Sequence, residues 1–236
     1  MDPATRRLRY LDAMGITRWV PREREAGTDA PERPVPPPPP RGAESREARI
    51  ARLDWNALEA EAAACTACPL HETRTQAVFG VGDRHARLML VGEAPGAEED
   101  RQGEPFVGRA GRLLNAMLRA VGLSREQVFI ANILKSRPPS NRDPRPDEVA
   151  ACAPFLERQM ALVAPRVILA LGRVAAQNLL ATDARLGAMR GKAYHYGDTG
   201  IPVVVTYHPA YLLRTPADKR KAWEDLQFVL KVMERH

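Results

Sequence analysis

Four short apolar runs set the tightest limit on what this chain can become. RLMLV (87–91), VFIANIL (128–134), RVILALG (166–172) and IPVVVTY (201–207) are apolar almost throughout, the pattern of strands covered on both faces. Segments of helical spacing lie between and after them. AGRLLNAMLRAVG (110–122) ends at Gly122, and PRPDEVAACAPFLERQMALV (144–163) is opened by Pro146. VAAQNLL (174–180) follows the third run, and ADKRKAWEDLQFVLKVMER (217–235) closes the chain. One more helix is expected over 47–64, with Ile50, Leu53, Leu58 and Ala62 on its buried face. Such alternation predicts the α/β class, a three-layer α/β/α architecture around a central, mostly parallel four-stranded sheet. In folds of this kind chemistry sits in the loops at the carboxyl ends of the strands.

Ahead of this body stands PERPVPPPPP (31–40), which holds seven of the chain's 21 prolines. It cannot pair or helicise, and predicts a stiff polyproline II spacer. The expected organisation is therefore a short head (1–22), a Pro-rich linker (23–47) and one catalytic domain (48–236). The head carries Leu8, Leu11 and Met14 on one helical face but is too short to fold alone. It reads as a docking peptide for an unknown protein, a passive tail, or a piece packed on the body. No apolar run approaches the ~18 residues of a membrane span, and the N-terminus lacks a secretory core. Three cysteines, an odd number, point to a reducing compartment, so a cytoplasmic location is expected; a monomer is expected as well. Lys and Arg number 35 against 29 Asp and Glu, and only five of the cations are lysine. An arginine-rich chain suits a polyanion, although genomic base composition gives the same bias.

The loop after the first run, GEAPGAEEDRQGEPFVGRAG (92–111), is rich in glycine and precedes a helix, as phosphate-binding loops do. It has neither the dinucleotide fingerprint nor a Walker lysine, so no nucleotide cofactor is expected. Its carboxylates, Glu93, Glu98, Glu99 and Asp100, suit a general base or electrostatic stabiliser instead. Glu98 and Asp100 also read as helix caps; Glu93 stands directly at the strand end. Phe106 is either a core plug or a stacking platform for a planar ligand. Asn132 is a buried-type amide inside an apolar strand, to be satisfied by the backbone or by a ligand offering a donor and an acceptor. His208, at the end of the last run and followed by Pro209, lies where a ligand crevice is expected.

Taken in order, GEAPG-x-x-ED-x-x-G-x-PFVG-x-AG, then ANILK-x-RPP-x-NRDPRP-x-E, then HPAYLLR resemble the bacterial and archaeal family 4 uracil-DNA glycosylases. The resemblance spans roughly residues 57 to 230. It implies a uracil-DNA glycosylase-like fold and hydrolysis of the N-glycosidic bond of deoxyuridine in double- or single-stranded DNA, the first step of base-excision repair. The base would be flipped into a pocket. Asn132 would read the uracil edge and Phe106 would stack on it. The 92–96 loop (Gly92, Ala94, Gly96) would line the slot, with Glu99 a further contact. His208 would donate to the charge developing on uracil O2, and Glu93 would orient water or stabilise the cationic sugar. The basic loop from Lys135 to Arg145, with Arg137, Arg142 and Arg145, and the last motif with Arg214, would hold phosphates.

The resemblance also implies a [4Fe–4S] cluster on four cysteines. Cys65, Cys68 and Cys152 match three of them, and Ser136 stands at the fourth. The alternatives are iron held through Ser136 oxygen, a fourth iron that is labile, takes an outside ligand or is missing, a Cys3His zinc site completed by His71, or no metal. Two other readings stand beside this one, the first a non-enzyme and the second a further enzyme. One is a silent DNA binder on the same scaffold, which has no need of Glu93, Phe106, Asn132 and His208 together. The other is the related branch that traps DNA covalently, which carries an inserted basic loop absent after Gly108 here.

Overall fold

The computed structural model describes residues 44–235 and the isolated positions 2, 5, 6 and 13. The expected head helix and proline spacer lie almost wholly outside the described residues. Glu44–His236 groups as one compact unit, so residues 44–47, expected in the linker, belong to the body.

The chain enters through α1 (Arg46–Ile50), capped by the Ser45 side chain, and α2 (Trp55–Ala64), capped by Asp54 accepting from the Ala57 N–H. The single helix expected over 47–64 is thus two. Asp54 prefers the cap, where its carboxylate takes an orphan backbone donor, to a helix interior. A short 3-10 turn (Pro69–Glu72) leads to β1 (Val81–Gly82) and β2 (Leu88–Gly92). Then come α3 (Ala97–Gln102), α4 (Arg109–Ala120), β3 (Phe129–Asn132), α5 (Pro146–Val163) and β4 (Val167–Leu171). The rest is α6 (Arg173–Leu179), α7 (Leu186–Met189), β5 (Ala193–His195), β6 (Pro202–Thr206), α8 (Pro209–Arg214) and α9 (Lys219–Arg235).

The sheet has six strands in the order β1-β3-β2-β4-β6-β5. The four apolar runs form its parallel centre, β3-β2-β4-β6, and the short β1 and β5 add antiparallel edges. Side chains alternate between two cores. Met89, Val91, Ala131, Ile168, Ala170, Val203 and Val205 face the helices α1, α2, α5 and α6. Leu88, Leu90, Ile130, Leu169, Leu171 and Val204 face α4 and α9. Period-two strands buried on both sides give the three layers directly.

One buried ion pair ties α9 to the strand that leads into His208. Arg190 donates to both Asp225 carboxylate oxygens at 2.7 and 2.9 Å, and Thr206 Oγ1 donates to one of them at 2.7 Å. Arg190 also lies 4.8 Å above the Tyr207 ring. The Asp225 side chain is only 2% exposed, so Asp225→Ala leaves a largely buried guanidinium unpaired. Such a loss costs about 3–5 kcal/mol. Urea unfolding should register that drop; a change under ~1 kcal/mol, as for a surface pair, would mean the network does not anchor the helix.

Candidate active site

All four parallel strands end on one side of the sheet, and a cleft of about 460 Å3 opens there. Glu93, Ala94, Gly96, Glu99, Phe106, Asn132, Arg142, His208 and Arg214 line it. Nearly all the expected catalytic and base-contacting residues therefore meet in one place, although they come from three separate motifs. Pro138, Asn141 and Tyr211 also line it; they stand within the quoted motifs but had been given no role.

The floor is built by a missing side chain. Gly92 ends β2 directly beside Asn132, which ends β3. A Cβ on Gly92 would lie 2.4 Å from Asn132 Oδ1 and 2.7 Å from Phe106 Cζ, so glycine alone lets amide and ring close on the same spot. Asn132 is 2% exposed, and its Oδ1 has no hydrogen-bond partner among the described residues. A buried acceptor left unmade costs about 1–3 kcal/mol, which a ligand N–H would recover.

Phe106 is buried with its backbone at φ 55°, an unfavourable conformation for a side chain of that size. Arg125 holds it there by donating to the carbonyls of Pro105 and Phe106, the latter at 3.3 Å. Gly111 permits the turn, because a Cβ there would meet the Phe106 carbonyl oxygen at 1.6 Å. Glu99 fastens the same loop. Its carboxylate accepts from the N–H groups of Gly96, Val107 and Gly108 at 3.1–3.2 Å. Glu99 thus borders the cleft with both oxygens already engaged by backbone. Asp100 accepts from the Thr75 N–H at 2.9 Å, while Glu98 bonds exposed Arg101.

His208 sits at the N-terminus of α8, and its Nδ1 accepts from the Ala210 N–H at 3.1 Å. Burial, with the Arg214 charge second and Glu99 opposing, pulls the imidazole down to about 4. At neutral pH the ring is uncharged and its one proton is on Nε2, a donor. The rings of His208 and Phe106 lie 5.4 Å apart. Glu93 is half-buried. Desolvation, reinforced by the negative charge of Asp143 and opposed by Arg173, pushes its carboxyl up to about 6.

The expected phosphate contacts divide. Arg145 and Arg214 are exposed, and neither makes an ion pair among the described residues. Arg137 donates to Asn141 Oδ1 at 2.8 Å. Arg142 forks onto the buried Glu148 carboxylate at 2.5 and 2.8 Å. Lys135, expected to open the basic loop, is instead buried. Its Nζ donates to the Asn132 carbonyl at 2.9 Å and to Gln159 Oε1 at 2.6 Å. Its long apolar stem explains the difference: the residue still belongs to the strand's buried continuation, and only after Ser136 does the loop turn out.

A second, smaller pocket brings together Cys65, Cys68, Ser136 and Cys152, with Arg74, Lys135 and Phe155. Arg46 donates to Cys65 Sγ at 3.4 Å, the Lys135 N–H to Cys152 Sγ at 3.2 Å, and Arg74 to Ser136 Oγ at 2.9 Å. Burial pushes the thiols of Cys68 and Cys152 up. His71 is not among the lining residues; its Nδ1 lies 2.8 Å from the Cys68 carbonyl. Among the described residues no three His, Cys, Asp or Glu side chains stand close enough to share one metal ion.

No helix among the described residues is long and apolar enough to cross a membrane. Residues 79–227 match the model of the uracil DNA glycosylase superfamily. The type-4 uracil-DNA glycosylase of Archaeoglobus fulgidus is 48% identical over 162 residues, covering 66% of this chain and 81% of that protein. That of Pyrobaculum aerophilum is 44% identical over 74% of this chain and 92% of its own length. That of Thermotoga maritima is 45% identical over 69% and 86%. With the ordered motifs, the three-layer fold and the cleft they line, these likenesses lead to one conclusion: the chain belongs to the uracil DNA glycosylase superfamily, among its type-4 members.

Proposed function

We propose that this protein is a DNA repair glycosylase that takes deoxyuridine out of the DNA stack and hydrolyses its N-glycosidic bond. The observation that carries the proposal is the unpartnered, buried Oδ1 of Asn132 beside the Phe106 ring. Uracil offers an N3–H to that oxygen and an O4 to the amide nitrogen. Cytosine presents the opposite pattern. Phe106, held rigidly by Arg125 and Glu99, stacks on the flipped base. As the C–N bond breaks, negative charge gathers on uracil O2, and the Nε2–H of neutral His208 stabilises it. The sugar becomes cationic, and the Glu93 carboxylate stabilises it or takes a proton from attacking water. Half-buried Arg137 and exposed Arg145 and Arg214 hold the DNA phosphates.

The small pocket suits an iron–sulfur cluster better than a single ion, since a cluster spaces its ligands more widely than one metal does. Cys65, Cys68 and Cys152 would hold it, with Ser136 at the fourth position. When bound, it would supply a cross-link between the segment after α2 and the loop leading to the DNA-facing arginines. Its surroundings fit an anionic group, for Arg46, Arg74 and Lys135 approach it and none makes an ion pair among the described residues.

Release of free uracil from a U:G duplex and from a single strand, with no added metal, tests the activity. Well-folded protein that binds both DNAs and frees no uracil would favour the silent-binder reading. The pH profile tests Glu93. Its carboxyl titrates near 6 and acts as the anion, so kcat/KM should fall by about tenfold per pH unit below 6 and level off above it. Glu93→Gln should lower the plateau and remove that limb. An acid limb that survives the substitution would assign the titration to another group.

A further inference from the structure

The fourth corner of the small pocket is unlike the other three. Cys65, Cys68 and Cys152 offer thiols, which become strong iron ligands on losing a proton. Ser136 offers a hydroxyl that gives up its proton far less readily. One of its lone pairs already accepts from the Arg74 guanidinium, at 2.9 Å. Arg74 is fixed in turn by a 2.6 Å bond to the Ala63 carbonyl at the end of α2. An iron at this corner would therefore face a weak ligand with a permanent cation behind it. The cation opposes the iron by like charge, and stays to balance the anionic core if the iron departs.

Resting on the cluster reading above, we propose that the Ser136–Arg74 pair makes this corner an exchangeable iron position that responds to oxidants. The step balances with dioxygen as the oxidant. One electron passes from the [4Fe–4S]2+ core to O2, giving superoxide. The bond between the corner iron and Ser136 oxygen breaks, Fe2+ leaves, and [3Fe–4S]+ remains on the three cysteines. Ser136 keeps or regains its proton from water and keeps its bond to Arg74. Ferrous iron with a one-electron reductant reverses the step. Its place in the fold gives the exchange a route to function. Ser136 follows Lys135, whose ammonium holds the Asn132 carbonyl, and it precedes the arginine loop. A change at the corner is thus one residue from the backbone that sets both the uracil reader and the DNA contact.

The test uses full-length protein purified without oxygen, assayed for iron and acid-labile sulfide, then given measured oxygen and followed by electron paramagnetic resonance. The wild type should gain a three-iron signal and lose about a quarter of its iron while keeping its sulfide, and ferrous ion with dithionite should erase the signal. Ser136→Cys should keep its iron under the same exposure. Arg74→Gln, which retains a donor without the charge, should lose iron several-fold more slowly than the wild type. Equal iron loss in the wild type and Ser136→Cys, or sulfide lost in step with iron, would overturn the proposal while leaving the cluster reading intact. Oxygen-free protein holding zinc or no metal would overturn both.

Discussion

Replacing His208 with alanine is expected to slow single-turnover uracil release by about 10²–10³-fold, or roughly 2.7–4 kcal/mol, with little change in DNA affinity. The imidazole is poised for the transition state rather than for the ground state. Its Nδ1 is taken by the Ala210 N–H, and its charge is suppressed by burial and Arg214, leaving one fixed Nε2–H donor. Uracil O2 carries a full negative charge only once the bond has broken, so the hydrogen bond strengthens along the reaction coordinate. The proposed phosphate contacts, Arg137, Arg145 and Arg214, are other side chains, which the substitution leaves in place. Single-turnover rates and fluorescence anisotropy on the same oligonucleotide separate the two quantities. Parallel losses in rate and binding would make His208 a prop for α8 rather than a participant.

Asn132→Asp should change which base is accepted. The substitution is nearly isosteric, so the slot beside Gly92 keeps its shape. A carboxylate still accepts from uracil N3–H but sets a second acceptor against O4, where the amide had donated. Each buried hydrogen bond left unmade costs about 1–3 kcal/mol, so uracil turnover should fall at least ~5-fold and, with two acceptors opposed, by ~100-fold or more. Cytosine presents an N4–H donor that the new carboxylate can accept, and the preference for uracil over cytosine should narrow. Measuring kcat/KM for both bases in one sequence context decides it. An unchanged ratio would mean that the pairing edge is read by some other group.

The parallel core could be read from the chain because both faces of each strand are covered, which leaves continuous apolar runs such as Leu88–Val91. The edges could not. Val81–Gly82 is too short to show a period, and Ala193–His195 is half exposed with no apolar pattern. At the site, Glu93, Asn132 and His208 were legible because each stands at or just after a strand end, where the topology gathers loops, and Phe106 because it is the aromatic of the glycine-rich stretch that follows β2. Which of their neighbours are already engaged was not legible. Nothing local announces that Glu99 is committed to three backbone donors, or that Arg142 is claimed by Glu148. Lys135 read as the start of a basic loop because sequence shows charge but not the direction of a stem. Arg46 and Arg74 acquire meaning only when folding brings them, from 19 and 62 residues away, to Cys65 and Ser136.

In the proposed reaction one fixed amide, Asn132, reads the uracil edge and one neutral imidazole, His208, receives its charge. The most direct measurement compares single-turnover base release by the wild-type protein from two oligonucleotides differing only in dU or dC at one position. A site built around a ligand's hydrogen bonds rejects a mismatched partner by about 10⁴-fold or more. Uracil release with cytosine slower by at least that ~10⁴-fold margin is the predicted result. Comparable release of the two bases, or release of neither by folded, DNA-bound protein, would contradict it.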